Sequence, residues 1–160
     1  MSGDRWSGRL AWVTHTAARN RRLGAIWSRF HAWSYRRVDG RVVGRWFGAP
    51  LVVVQTVGRR TGKARETPVI ALPEGSGFFV LAANAGNDRP PAWWLNLEAA
   101  GAGHVVTGGT RLAVRPRVAE GEERERLWAR IVDAYPAAAH YPDYTDRPLP
   151  VVVLEPASGD

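Results

Sequence analysis

The stretch Leu51-Val-Val-Val-Gln-Thr-Val-Gly-Arg-Arg-Thr-Gly-Lys-Ala-Arg-Glu-Thr-Pro-Val-Ile-Ala-Leu72 decides the fold. Leu51–Val57 is apolar and β-branched and reads as a buried strand. Gly58–Lys63 reads as a turn, and Arg65–Leu72 as a second strand. A strand, a short turn and a strand make a hairpin, so the pairing is antiparallel rather than a βαβ crossover. The chain downstream repeats this pattern. Pro73–Gly77 is a turn, Phe78–Ala83 a strand and Asn84–Pro91 a polar loop. Ala92–Ala100 reads as a short helix with Pro91 at its entrance. His104–Thr107 and Thr110–Val118 are strands joined at Gly108 and Gly109, a hairpin signal. Glu120–Tyr135 is a helix with Glu120, Glu122 and Glu123 near its N-terminal end, where the macrodipole favours anions. Its apolar face is Leu127, Trp128, Ile131 and Tyr135. A Tyr/Pro-rich stretch at 135–150 precedes a last strand, Val151–Leu154. The expectation is an α+β domain, an antiparallel sheet or small barrel with peripheral helices.

Upstream, residues 17–37 read as a helix. Leu23, Ile26, Trp27, Phe30 and Trp33 follow one face of a 3.6-residue period. Arg22, Arg29 and Arg36 form a second stripe. Two readings fit: a core-packing helix with a solvated basic face, or an interfacial helix lying along an anionic bilayer. Residues 38–50 carry Gly40, Gly44, Gly48 and Pro50 and read as loops. The length of 160 residues argues for one domain. We divide the chain into a basic segment 1–16, a single domain 17–156 and a tail 157–160.

Composition sets limits on chemistry. There is no cysteine, which excludes disulfides, thiol catalysis and zinc–thiolate sites. No apolar run approaches the ~20 residues that span a bilayer. The N-terminus lacks the apolar core of a secretory signal, so a cytoplasmic protein is expected. The net charge of +7 is uneven. Residues 1–50 hold ten Arg against two Asp, whereas residues 51–160 are near neutral. Together with Trp6, Trp12, Trp27 and Trp33, that charge makes an anionic membrane surface a candidate partner for residues 1–37. No groove-reading motif is present, so no nucleic-acid partner is expected. The oligomeric state is left open by the sequence.

Three constellations carry chemistry. The first is Thr56-Val-Gly-Arg-Arg-Thr-Gly-Lys-Ala-Arg65, with Arg59, Arg60, Lys63 and Arg65 on one strand–turn–strand. Such a turn offers forked guanidinium donors and backbone N–H groups to phosphate or carboxylate oxygens. It is not a Walker A loop: the glycine spacing is short, and Ala64 stands where Ser or Thr would bind magnesium. A solvated basic hairpin that blocks edge pairing is the competing reading. The second is Ala82-Ala-Asn-Ala-Gly-Asn-Asp-Arg-Pro-Pro-Ala-Trp-Trp-Leu-Asn-Leu97, a strand end of small residues followed by a helix. Small residues leave room for a planar ligand, and Trp93, Trp94 and Asn96 offer a stacking face and an amide. A core helix anchored by Trp is the competing reading. The third is Tyr135, Tyr141 and Tyr144 with Thr145 and Arg147. Phenols can line a pocket and donate to a developing oxyanion; the alternative is a packed surface loop. The four histidines show no metal-ligand spacing. There is no nucleophile elbow, and no GxGxxG follows a strand.

In this order the three constellations resemble the deazaflavin-dependent nitroreductase family, the F420H2-dependent quinone reductases of actinobacteria. The resemblance covers roughly residues 20–156. It includes Arg29-Phe-His-Ala-Trp-Ser-Tyr-Arg-Arg37, Thr56–Pro68, Ala82–Leu97 and Tyr144-Thr-Asp-Arg-Pro-Leu-Pro-Val-Val-Val-Leu-Glu-Pro156. It implies a split β-barrel related to FMN-binding barrels, with coenzyme F420 in place of FMN. It implies that Arg60, Lys63 and Arg65, with Arg59, Thr61 and Gly62 nearby, hold the cofactor's phosphate and oligoglutamate tail. Thr67, Pro68 and Val69 would border the cofactor. Ala82, Ala83, Asn84, Ala85 and Gly86, with Ala92, Trp93 and Asn96, would border the deazaflavin ring. Tyr135 and Tyr141, with Asn84, would face the acceptor.

The expected activity is hydride transfer from F420H2 to a quinone, nitroaromatic or activated enone. A non-catalytic F420- or membrane-binding module and an FMN enzyme on the same barrel are the alternatives. Three positions depart from the family pattern: Ala83 where serine is frequent, Ala138 where some members carry a pocket tyrosine, and Ile70 where one branch has an aromatic.

Overall fold

The structure is a computed structural model that describes residues 9, 11–13, 15–16, 45–46 and 49–157. The helix expected at 17–37 and its Arg stripe lie outside the described residues. Seven strands are described: β1 (Arg45–Trp46), β2 (Ala49–Val57), β3 (Ala64–Glu74), β4 (Gly77–Leu81), β5 (Gly103–Thr107), β6 (Thr110–Val118) and β7 (Val151–Pro156). Helix α1 is Ala92–Ala100 and α2 is Gly121–Ala134. Two 3-10 segments, Asn84–Gly86 and Pro136–Tyr144, complete the elements.

The strand order is β1-β2-β3-β4-β7-β6-β5, and β5 pairs back onto β2. Every pairing is antiparallel, and six strands close a barrel with β1 appended to β2. Closure removes the exposed edges that a six-stranded open sheet would present. The α+β split-barrel expectation holds. Two boundaries need correction. The 38–50 loop reading fails at Arg45–Trp46 and from Ala49 onward, because these residues pair with each other as Arg45↔Pro50 and Trp46↔Ala49. The turn expected at Pro73–Gly77 shrinks, because Pro73 and Glu74 still pair with Phe78 and Gly77. Pro73 is tolerated because it sits near the strand end.

Strands near the barrel seam are apolar on both faces, and the two faces feed different layers. Val52, Val54, Val80, Val152 and Leu154 point inward. Trp93, Trp94 and Leu97 of α1 fill the same interior. Phe79, Val151 and Val153 point outward into a second layer with Leu127 and Ile131 of α2 and with Tyr135, Ala138 and Tyr141. The period-2 alternation of strand side chains produces this division. Each fully buried Val or Leu side chain is worth ~1.5–3 kcal/mol.

Helix α2 is fixed over the outer face by ion pairs. Arg130 donates to Glu74 and, at 2.7 Å, to the Pro73 carbonyl, and its guanidinium lies 4.7 Å from the Phe79 ring centroid. Arg126 donates to Glu74 at 2.7 Å. The Arg126 hydrogen bond, with that of Arg130, holds the Glu74 carboxyl below its ordinary range despite some desolvation. Arg117 on β6 bridges Glu123 of α2 and Glu155 of β7.

The basic segment 1–16 differs from the rest of the chain in composition. Ala11 is nevertheless fully buried in the outer layer, so the described part of that segment packs with the barrel.

Candidate functional site

The turn at 58–63 is closed by its own backbone. Gly58 N–H donates to the Lys63 carbonyl at 2.8 Å, and Thr61 and Gly62 N–H both donate to the Gly58 carbonyl. Gly62 has φ +63°, which an L side chain enters at a cost. Arg59, Arg60, Lys63 and Arg65 are all exposed. Among the described residues, Arg60, Lys63 and Arg65 form no ion pair, so their charges are available to an anion. Arg59 is the exception in its partners: its backbone N–H and its guanidinium both donate to Asn96 Oδ1, at 3.2 and 3.3 Å. Asn96 Nδ2 in turn donates to Thr56 Oγ1 at 3.4 Å. Buried Asn96 thus ties the turn to α1.

A cavity of about 200 Å³ lies between the outer face of the sheet and α2. Its floor is Ile70 and Leu72 of β3 with Phe79 and Leu81 of β4, and the inward-pointing Val69 and Val80 also border it. Ala83, Asn84 and Ala85 form one end, and Ile131, Tyr135, Ala138 and Tyr141 the roof. The walls are mostly apolar, as ligand sites generally are. The polar groups stand out against them. The Tyr141 hydroxyl donates to that of Tyr135 at 3.3 Å, and both rings are buried. Among the described residues nothing accepts the Tyr135 hydroxyl proton. Asn84 Nδ2 is bonded to the Arg89 carbonyl at 2.9 Å.

The strand end beside the cavity is strained. Asn84 and Ala85 have φ of +49° and +53°, and Gly86 follows at +73°. Left-handed conformation is rare for alanine and clusters at functional sites. A Cβ at Gly86 would lie 2.9 Å from the Tyr141 carbonyl, so only glycine fits this close approach. His15 Nδ1 lies 3.0 Å from the Ala85 carbonyl, and its ring sits 4.5 Å from that of Tyr144.

Strand β3 joins the two regions. The six steps from Lys63 to Val69 span ~20 Å at ~3.3 Å per residue. A molecule with a flat head and an anionic tail matches this arrangement: an apolar cavity at one end and unpaired cations at the other.

A family profile described as F420H(2)-dependent quinone reductase matches residues 27–156. The chain belongs to that family. It is therefore an oxidoreductase of the F420H(2)-dependent quinone reductase family, and its cofactor is coenzyme F420. An F420H(2)-dependent quinone reductase of Mycobacterium tuberculosis is 32% identical over 139 residues, covering 84% of this chain and 93% of that protein. A putative F420H(2)-dependent quinone reductase of the same organism is 33% identical over 107 residues, covering 67% of this chain and 90% of that one. The solved structure of an F420-H2 dependent reductase superposes with a TM-score of 0.60 at 36% identity, covering 66% of this chain and 94% of that one.

The residues expected at the site divide in two. The structure gathers Val69, Ala83, Asn84, Ala85, Tyr135 and Tyr141 around the cavity. It leaves Trp93 and Asn96 away from it. Trp93 is 6% exposed and packs in the barrel interior, as the core-helix reading expects. Asn96 holds Arg59 and Thr56 instead. Ala92 is exposed at the start of α1, and Ala82 and Gly86 are buried on either side of the cavity residues 83–85. Thr67 and Pro68 sit on β3 between turn and cavity. Leu72, Phe79, Leu81 and Ile131 also line the cavity, beyond the residues the sequence suggests. Their signal is that β3 and β4 carry apolar residues on both faces, so the outward set has to meet something other than water.

Proposed function

We propose that this F420H(2)-dependent reductase takes small planar quinones as hydride acceptors in the cavity beneath Tyr135 and Tyr141. The observation that carries the reading is the pairing of that apolar cavity with the unpaired cations of the 58–63 turn along one strand. Lys63, Arg60 and Arg65 would hold the phosphate and glutamate tail of F420 through charge-assisted hydrogen bonds. Val69 and the small residues Ala83 and Ala85 would border the deazaflavin. Bound there, the reduced deazaflavin supplies the hydride.

The remaining work belongs to the protein. The cavity walls exclude water and hold the acceptor against the strand end, so the reaction is a matter of position. Negative charge grows on the acceptor oxygen as hydride arrives. The Tyr135 hydroxyl, itself accepting from Tyr141, is placed to donate to that oxygen. Ala138 and Ile70 leave the cavity wider than bulkier side chains would, which suits a bicyclic quinone. Ala83 offers no hydroxyl at the strand end, so hydrogen bonding to the acceptor falls to the tyrosines.

Tryptophan-fluorescence titrations with F420, FMN and NADPH side by side test the cofactor placement. Tight F420 binding with weak FMN binding is expected. Equal affinity for F420 and FMN would remove the role of the cationic turn. F420H2 oxidation with a naphthoquinone, a nitroaromatic and an enone then ranks the acceptors, and a quinone preference is expected.

A second reading concerns location. Among the described residues no helix is long and apolar enough to cross a membrane. Trp12 is 61% and Val13 54% exposed on helical turns beside exposed Arg9. Exposed Trp next to Arg suits the headgroup boundary of an anionic bilayer. Sedimentation with anionic and neutral vesicles tests it. Binding only to anionic vesicles, weakened by salt and lost with Trp12→Ser, is expected; no binding at low salt would end this reading.

A further inference from the structure

We infer that Arg147 is a positioning residue that sets the shape of the strand end facing the acceptor. Its side chain is the hub of segment 82–87. Nε donates to the Asn87 carbonyl at 2.6 Å, one terminal nitrogen to the Ala82 carbonyl at 3.3 Å and the other to the Ala83 carbonyl at 2.5 Å. The first of these nitrogens also reaches the Pro148 carbonyl at 3.0 Å. A planar fork with fixed donor directions can serve several carbonyls at once, which a single ammonium cannot. A parallel tie, Thr145 Oγ1 to Asp88 Oδ1 at 3.0 Å, holds the far side of the loop.

The clamp sits where the backbone needs it. Between the carbonyls that Arg147 gathers lie Asn84 and Ala85, both in left-handed conformation. Such residues persist only where their surroundings over-determine them. Ala83, Asn84 and Ala85 form the cavity end, yet Arg147 itself is not in the cavity wall. Partial burial of the guanidinium is a cost that fully solvated arginines avoid, and it lowers the Arg147 pKa from the ordinary arginine value. The four carbonyl bonds offset that cost, and the result is a fixed cavity end of small residues facing Tyr135 and Tyr141.

The inference rests on the acceptor site proposed above. Its test therefore has one arm that needs no turnover. The variant is Arg147→Lys, which keeps the charge and loses the fork. Arg117→Lys is the control, since Arg117 holds α2 through Glu123 and Glu155 away from the cavity. Amide hydrogen exchange is expected to speed up about tenfold or more across 82–87 in Arg147→Lys and to stay unchanged in β5 and β6. F420 affinity, read by tryptophan quenching, is expected to fall by less than turnover does, because the cationic turn that holds the tail is untouched and only the border of the ring shifts. At saturating F420H2, quinone turnover is expected to fall by roughly tenfold or more, since small misplacements at a reacting centre are costly. Free guanidinium ion at millimolar concentration should restore part of that turnover in Arg147→Gly.

Unchanged exchange across 82–87 would overturn the inference. So would a turnover loss that Arg117→Lys reproduces at equal loss of thermal stability, because the residue would then be merely structural. If wild-type protein reduces no acceptor, the proposed function fails, and the exchange arm alone decides the clamp.

Discussion

The turn at 58–63 and the strand end at 82–87 both use left-handed backbone, and they are held in opposite ways. The turn is closed by hydrogen bonds among its own residues, Gly58, Thr61, Gly62 and Lys63. The strand end is held by residues distant in sequence: Arg147 through three of its carbonyls, and His15 at the Ala85 carbonyl. In the turn, glycine occupies the left-handed position and the side chains are free to bind. In the strand end, Asn84 and Ala85 occupy it and the side chains shape a cavity. A region that binds an anion needs only charge and a tight turn. A region that places a reacting atom needs a backbone fixed from outside.

This contrast can be broken at its strongest point first. Lys63→Ala combined with Arg65→Ala should weaken F420 binding at least a hundredfold, since each charge-assisted bond is worth ~1.5–3 kcal/mol. Titration with a tail-truncated cofactor should show a much smaller loss, and an equal loss would mean that the cations do not meet the tail.

Gly86→Ala should come next, at about 3 kcal/mol of folding stability. The new Cβ would lie 2.9 Å from a backbone carbonyl that cannot step aside, and the φ of +73° adds strain. Gly62→Ala should cost only about 1 kcal/mol, because its Cβ would meet nothing within 4 Å and only the φ of +63° counts against it. Denaturant melts of both variants check the pair. Equal losses would show that the two loops are held alike after all.

A smaller change is expected from Ala83→Ser. The residue is buried at the cavity end, so the hydroxyl is aimed at the acceptor rather than at the tail. Cofactor affinity should hold within about twofold and turnover with at least one acceptor should rise several-fold, about the worth of one hydrogen bond. Steady-state kinetics with quinone and nitro acceptors would show it, and a large shift in cofactor affinity would place residue 83 elsewhere.

The smallest effect tests neither loop and serves as a baseline. Desolvation, with the nearby Arg111 charge, lowers the His104 pKa from 6.5. Its neutral form accepts from Arg111 at 3.0 Å. The stability this contributes is therefore present above pH 6.5 and is lost as pH falls through the lower folded value. His104→Gln should flatten the acid-side drop in melting temperature slightly, and an unchanged profile would mean that this histidine does not couple to folding.

Much of this was legible from local chemistry. Helix α1 at Ala92–Ala100 and strand β6 at Thr110–Val118 follow directly from Pro91, the Gly108-Gly109 turn and the apolar pattern. Lys63 and Arg65 stood out because charge and glycine fall together in one short turn. Trp93 marks where local chemistry stops: an apolar ring on a short helix suits a ligand or a core equally well. Only the fold shows that this ring packs in the barrel interior. Arg147 stands beside the tyrosines in the sequence, and three of its four carbonyl partners lie sixty or more positions away.

By itself the sequence determined the antiparallel hairpins, the cationic turn and the family, because each depends on residues close together along the chain. Tertiary structure alone decided which tryptophans are core, how β3 and β4 present their outward apolar residues to α2, and how Arg147 and His15 hold Asn84 and Ala85. These depend on barrel closure, which sets β2 against β5 and folds the segment after α2 back over the outer face. Contacts of that kind are fixed by the packing of whole layers, and no short stretch of residues encodes them.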